Sequence, residues 1–484
     1  MANALGLDLG TSGLRALLMA EDGSVIASAA QSARATNPHP GWSEQDPGEW
    51  VTALEAAMAA LAASHPEAMA QVAGIAVSGH MHGATLLDGA GEVLRPCILW
   101  NDTRSHAEAA ELDAMPAFRA VSGNIVFPGF TAPKLKWVAK NEPEIFERTS
   151  KILLPAAYLN YYMTGEFVSD MSDAAGTAWL DCGGRDWSDA LLEATGLSRA
   201  QMPALVEGCA VAGRLKPELA DRWGIPRSAV VAGGAADNAA SACGTGSLSE
   251  GEGFVSLGTS GVLLAARDGY HPEAASALHT FCHAVPGQWY QMGVMLSATD
   301  SLNWLSRITG LKPAALTGEL GDLAAPGRER FLPYLAGERT PHNDAFIRGA
   351  FTGLGSDTGR ADMTRAVLEG VAYGLRDSAE ALRGAGAQLG PLLIIGGGSA
   401  SAHWVEMIAT VLDLPMMLPK AGEFGAALGA ARLALVAATG GDPVALMTRP
   451  EIGRVIEPND RLRDAFEAAY QKHRASYSAI RNIQ

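Results

Sequence analysis

The feature that most constrains this chain is a short word spelled twice. Leu-Gly-Thr-Ser-Gly occupies positions 9–13 inside "LGLDLGTSGLRALL" and returns at 257–261 inside "GFVSLGTSGVLLAA". Each copy lies between two short apolar runs, so each reads as a tight turn joining two strands. A repeat of this kind, far along a chain of 484 residues, predicts two halves descended from one duplicated α/β unit. We place the division at 1–245 and 246–484. The copies differ at one telling place: Asp8 precedes the first turn, and Ser256 stands in the matching position before the second.

The surrounding patterns repeat the plan. "ALGLDL", "LRALLM" and "VIASAA" predict a three-stranded meander, broken at Thr11-Ser12-Gly13 and at Glu21-Asp22-Gly23. A helix follows in "QDPGEWVTALEAAMAALAAS", with Asp46 as cap, Pro47 at the first helical position and Trp50, Leu54, Met58 and Leu61 on one stripe. "VAGIAVS" at 72–78 is a buried strand that leads into "GHMHG". In the second half "PLLIIGGGSASAHWVEMIATVL" runs strand, Gly-rich turn, helix. The stretches "MPALVEGCAVAGRLKPELADRWG" and 310–330 read as insertions, and the small-residue stripe of 362–383 reads as a helix at the interface of the halves.

Hydrophobic residues make up 48% and charged residues 18% of the chain, the profile of a globular enzyme. Lys plus Arg total 36 against 52 Asp plus Glu, a net charge of −16 that works against nucleic acid and anionic membranes and favours a small, neutral substrate. The N-terminus lacks the pattern of a signal peptide, and no apolar run of about 18 residues suggests a membrane span, so a cytoplasmic protein is expected. Cys97, Cys182, Cys209, Cys243 and Cys282 form no C-x-x-C pair and read as reduced, buried thiols.

A turn rich in Gly, Thr and Ser directs several backbone N–H groups to one side, with hydroxyls alongside, and such a set suits phosphate oxygens. Two of these turns facing each other would clamp a polyphosphate. Only one side then needs a carboxylate for the cation that bridges the phosphates, and Asp8 supplies it. The third Gly-rich turn, Gly396-Gly397-Gly398-Ser399, would let a base and ribose approach the backbone closely. Transfer to an alcohol also requires a base. "VVAGGAADNAAS" offers Asp237, followed by Asn238, after an apolar strand; the alternative for Asp237 is a helix cap.

The order of these motifs resembles that of the superfamily of sugar kinases, actin and heat-shock chaperone ATPases. Within it, "GFTAPKLKWVAKN" (129–141) and "GAFTGLGSDTGRADMTRAVLE" (349–369) are similar to the two signature segments of the FGGY-type carbohydrate kinases, the family of glycerol, ribulose, xylulose and gluconate kinases. "HPGWSEQDPGEW", "ILWNDTR", "SDMSDAAGT" and "LPYLAGERTPHN" are closest to spellings of its ketopentose members. The resemblance implies an α/β fold of two duplicated ribonuclease H-like (actin-like ATPase) domains around a central cleft, with sugar bound by the first and ATP by the second. It implies ATP and Mg²⁺, with a ketopentose, xylulose foremost, as acceptor; another polyol, ketose or sugar acid such as ribulose, glycerol or gluconate is the alternative. A homodimer is common among such relatives. An ATP-driven binding protein of the actin or chaperone kind is disfavoured, since it has no use for "MHG" or the two signature segments.

Carried over position by position, the resemblance makes Asp237 the catalytic base and Asp8 the partner of Mg²⁺. Met81 and His82 contact the sugar, with Asn238 and Trp100 beside them. Thr11 and Ser12 sit near the transferred phosphate, and Gly258, Thr259, Asn303, Gly397 and Gly398 line the nucleotide. Asn101, Asp102 and Arg104 are further candidates for the sugar pocket, with a structural ion pair as the alternative for the last two. His80 replaces a family Gln and Ala236 a family Gly; the first change would alter a supporting bond or the sugar preference. His80-x-His82 and His279-x₃-His283 with Cys282 do not read as a zinc site, because neither pair has a third ligand nearby in sequence.

Overall fold

In the strand Asn3–Gly10 side chains alternate between two faces, and most residues on both faces are buried. Leu5, Leu7 and Leu9 enter one core together with Trp50, Leu54, Met58 and Leu61 of the helix Pro47–Ser64. Asp46 caps that helix, accepting from the Gly48 N–H at 2.9 Å, and Pro47 takes the first helical position. Ala4, Gly6 and Asp8 point the opposite way. The structure, a computed structural model, describes residues 2–420 and 425–483.

The first sheet runs Val211–Arg214, Val230–Ala232, Val72–Gly79, Asn3–Gly10, Gly13–Met19, Val25–Ser32. Its last three strands form the antiparallel meander, the two before them lie parallel, and Val211–Arg214 closes an antiparallel edge. The second sheet repeats this order and sense with Ile452–Ile456, Met416–Pro419, Leu392–Ile395, Gly253–Leu257, Gly261–Arg267 and Trp289–Met295, then adds His279–Cys282. Strand for strand the two sheets match, which is the duplication that the repeated word predicts.

The helix Ala426–Thr439 departs from chain order. It lies on the face of the first sheet that Ala4, Gly6 and Asp8 present, and against the helix Asp237–Thr245. Glycine permits the contact: a Cβ at Gly6 would stand 1.9 Å from Ala427 O, one at Gly74 2.3 Å from Ala434 O, and one at Gly429 1.8 Å from Ala240 O. Arg432 fixes the packing by donating to Cys243 O and Gly244 O at the end of the facing helix.

Three segments differ from their sequence reading. Residues 204–223 are not an insertion: they supply the edge strand Val211–Arg214 and a helix that buries Leu219, Ala220 and Trp223. Within 310–330, the helix Pro313–Gly318 lines a cavity described below. The helix Arg360–Gly384 packs inside the second half, not between the halves; a Cβ at Gly370 would meet Phe331 O at 2.3 Å. A stripe of small residues reports a close approach without naming the partner. All five cysteines are free, and no described helix is long and apolar enough to cross a membrane.

Candidate active site

Asp237 is the first residue of the helix Asp237–Thr245, with Ala236 in the cap position, so its carboxylate projects from the helix end without serving as the cap. Asn238 donates to Asp237 Oδ1 through its backbone N–H at 2.7 Å and its amide at 2.9 Å. Burial nevertheless raises the Asp237 carboxyl to about 6, against those two bonds. Asp8 lies near enough to feel it: burial first and repulsion from Asp237 second raise Asp8 to about 6, while the Ser78 hydroxyl, donating at 3.3 Å, opposes the shift.

A second pair of acids underlies the base. Asp170 caps the short helix Met171–Ala174, accepting from Ser172 N at 2.8 Å and Asp173 N at 3.1 Å. The Ser172 hydroxyl donates to Asp170 at 2.5 Å and accepts from Ala236 N at 3.0 Å, so this segment grips the residue that precedes Asp237. Asp173 is fully buried, and neither of its oxygens has a hydrogen-bond partner among the described residues. Burial, then repulsion from Asp170 and Asp237, holds its carboxyl well above the usual range. The buried, unpartnered hydroxyl of Tyr290, from the second half, feels the charge of all three acids.

Met81 and His82 meet the same segment. A Cβ at Gly176 would stand 2.6 Å from His82 Nδ1 and 2.7 Å from Met81 Cε. His82 holds a left-handed backbone, φ 72°. Its carbonyl accepts from Thr131 Oγ1 at 3.1 Å and from the buried Lys134 Nζ at 2.7 Å. Its ring stacks on Phe130 at 4.6 Å, and Nδ1 lies 2.6 Å from Gly176 O. A carbonyl only accepts, so Nδ1 carries the hydrogen, and Nε2 is left as an acceptor. Burial keeps the ring neutral, lowering it to about 3. The His80 ring turns away from this group and faces Trp50 edge-on at 5.9 Å.

Trp100 is 45% exposed and its indole donates to Thr11 Oγ1 at 3.0 Å. Asp102 and Arg104 form the buried ion pair that was the alternative to a sugar role. Arg104 NH2 lies 2.7 Å from Asp102, which also accepts from the backbone N–H groups of Arg104 and Ser43, and the guanidinium stacks on Trp42 at 3.5 Å. Asn101 lines a separate hollow near His39.

In the second half Gly258, Thr259 and the start of the helix Thr299–Thr309 are stapled together: Thr299 donates twice to Gly258 O, at 2.9 and 2.8 Å, and Ala298 N donates to Thr259 O at 2.8 Å. The same helix carries Asn303 into a cavity of about 380 Å³, which Gly397, Gly398, Pro313, Thr317 and Trp404 also line. Gly396, at φ 91°, brings this turn against the end of the strand Gly253–Leu257, where a Cβ would meet Leu257 O at 2.7 Å. The first turn opens on a different hollow, lined by Asp8, Gly10, Ser12, Gly13 and Arg15. The site residues thus fall into two sets: Asp8, Thr11, Ser12, Met81, His82, Trp100, Asp237 and Asn238 on the first half, and Gly258, Thr259, Asn303, Gly397 and Gly398 on the second. Among the described residues no three His, Cys, Asp or Glu side chains form a metal-binding group.

Sequence reasoning passed over Lys134, Thr131, Asp173 and Tyr290. Lys134 and Thr131 stand inside "GFTAPKLKW", where a lysine in an amphipathic helix gives no sign of burial. Asp173 and Tyr290 meet only through the fold.

Residues 3–244 match the N-terminal domain of the FGGY family of carbohydrate kinases, and residues 253–438 match its C-terminal domain. The chain is 48% identical to the xylulose kinase of Escherichia coli K12 over 439 residues, 90% of each protein. A crystal structure of a "xyloylose kinase" from Brucella ovis superposes with a TM-score of 0.98 at 56% identity, covering all of both chains. The xylulose kinase of Rhodospirillum rubrum superposes with a TM-score of 0.92 at 30% identity, over 99% of both.

Proposed function

Because the chain belongs to the FGGY family of carbohydrate kinases, we propose that it transfers the terminal phosphoryl group of ATP to the 5-hydroxyl of D-xylulose, giving D-xylulose 5-phosphate and ADP. The observation that carries this reading is end-to-end likeness to xylulose kinases, 48% identity over 90% of the chain in one case, in a protein whose Met81, His82 and the residue before Asp237 all meet the segment 171–177.

In this reading residues 1–245 hold the sugar and 246–484 hold ATP. His82 Nε2 accepts from a sugar hydroxyl, Met81 packs against the carbon chain, and Trp100 and Asn238 flank it. Asp237 takes the proton of the attacking hydroxyl as the new P–O bond forms; a base so placed contributes about 10²–10⁴ in rate. Its raised value leaves it ionised at neutral pH, yet a stronger proton acceptor than an ordinary carboxylate. Thr11 and Ser12 approach the terminal phosphate from one side and Gly258 and Thr259 from the other, while Asn303, Gly397 and Gly398 receive the nucleoside. Asp8 and Ser12 line one hollow and Asn303, Gly397 and Gly398 another, so we infer that the halves rotate together around both substrates, which also excludes water as a competing acceptor.

Two half-buried carboxylates that repel each other, Asp8 and Asp237, offer the oxygen ligands that a hard divalent cation takes. Asp8 would hold Mg²⁺, which enters with ATP and would supply positive charge against the phosphates. Five free cysteines accord with a reducing, cytoplasmic setting. The test is ADP formation across xylulose, ribulose, glycerol and gluconate at saturating ATP: xylulose is expected to give the highest kcat/KM, and another acceptor in first place would overturn the choice of sugar.

A further inference from the structure

Phosphorylation at O5 restricts the form of the ketose. In the furanose ring of a 2-ketopentose, O5 is the ring oxygen and has no proton to give up. The acceptor is therefore the open chain, which carries a free carbonyl at C2. This inference rests on the ketopentose reading above and asks which residue receives that carbonyl.

The aromatic floor beneath His82 is shared by both halves. Phe130, under His82, meets Phe127 edge-on at 5.8 Å, and both approach His279 of the second half, at 5.8 and 5.3 Å. On this floor lies Arg339, from "AGERTPHN". Its guanidinium sits 4.4 Å over the Phe127 ring, and its NH1 donates to His279 Nε2 at 3.1 Å. His279 is buried and neutral, so it accepts without neutralising the charge. Glu338, next in sequence, does not pair with the guanidinium; its Oε1 accepts from the backbone N–H groups of Leu296 and Arg339. Among the described residues no carboxylate lies within ion-pair distance of Arg339, in contrast to Arg104, Arg185 and Arg267, which all have one. A guanidinium offers five donors, and among the described residues one of them is used.

We propose that Arg339 is a further substrate-binding residue that donates to the C2 carbonyl oxygen of the open-chain ketose and thereby sets the preference for ketoses over polyols. The cation comes from the second half and the His82 acceptor from the first, and the aromatic floor shared by both halves already holds the two near each other. A planar carbonyl accepts from the guanidinium with both lone pairs free. The hydroxyl of a polyol at the same carbon must also place its own hydrogen against a cation.

The experiment compares full-length wild type with Arg339→Gln and Arg339→Lys, using xylulose and its reduced counterpart xylitol. Calorimetric Kd is read for both, with kcat/KM for xylulose, KM for ATP and a thermal melt. A hydrogen bond from a charged donor corresponds to about a 10- to 150-fold effect. Arg339→Gln is expected to weaken xylulose binding by about that factor, to the level of xylitol, while xylitol Kd and ATP KM stay within about threefold. Arg339→Lys keeps charge and fold and should retain part of the discrimination. Equal losses for xylulose and xylitol, a change confined to ATP KM, or no change would each overturn the assignment. A wild type that phosphorylates gluconate or glycerol but no ketose would instead overturn the ketopentose reading.

Discussion

The indole N–H of Trp100 donates to the Thr11 hydroxyl at 3.0 Å, tying an exposed ring proposed to flank the sugar to the turn proposed to hold phosphate. A neutral hydrogen bond contributes about 0.5–1.5 kcal/mol. Trp100→Phe should therefore lower kcat/KM for the sugar by about 2- to 10-fold. Combined with Thr11→Val it should add little, since both changes remove the same bond. Fully additive losses would separate the two residues.

The pH dependence follows from Asp237. Its carboxyl is raised to about 6, and the base works only when ionised, so kcat/KM should fall as pH drops through about 6. A profile that stays flat down to pH 4.5 would contradict the burial argued for Asp237.

Asp173 carries a prediction about stability. Its carboxyl is held well above the unfolded value of 3.8, so the folded state binds the extra proton. Stability is then greatest below the unfolded value and is lost as pH rises toward the folded one. Asp173→Asn removes the titration, and its melting temperature relative to wild type should be higher at pH 8 than at pH 4. An equal difference at both pH values would show that Asp173 is satisfied in a way the fold does not reveal.

Gly176 abuts Met81 and His82, the two residues proposed to hold the sugar. A Cβ there would stand 2.6 Å from His82 Nδ1 and 2.7 Å from Met81 Cε. Gly176→Ala should raise sugar KM by about tenfold, roughly 1.4 kcal/mol, with ATP KM unchanged. A shift in ATP KM of similar size would place the disturbance elsewhere.

Local pattern made much of this legible. The two hairpins, the capped helix Pro47–Ser64 and the strand Val72–Gly79 announce themselves through turn residues and periodicity, which neighbours in sequence suffice to encode. The helix Ala426–Thr439 on the first sheet did not, because Gly6 and Gly74 look like ordinary strand residues until the helix that needs them is in place. The helix Pro313–Gly318 was hidden for a similar reason: its part in the cavity with Asn303 and Gly398 depends on a fold-back that no short window contains. Burial of Lys134 runs against its residue type, and Asp173 meets Tyr290 only through tertiary structure.

The account turns on Asp237 as the base, and Asp237→Asn tests it most directly when ADP formation and xylulose binding are measured on the same preparation. The expected result is a fall in kcat of about 10²–10⁴, with the calorimetric Kd for xylulose within about threefold of wild type. Turnover within tenfold of wild type, or a loss of sugar binding large enough to account for all the lost turnover, would contradict it.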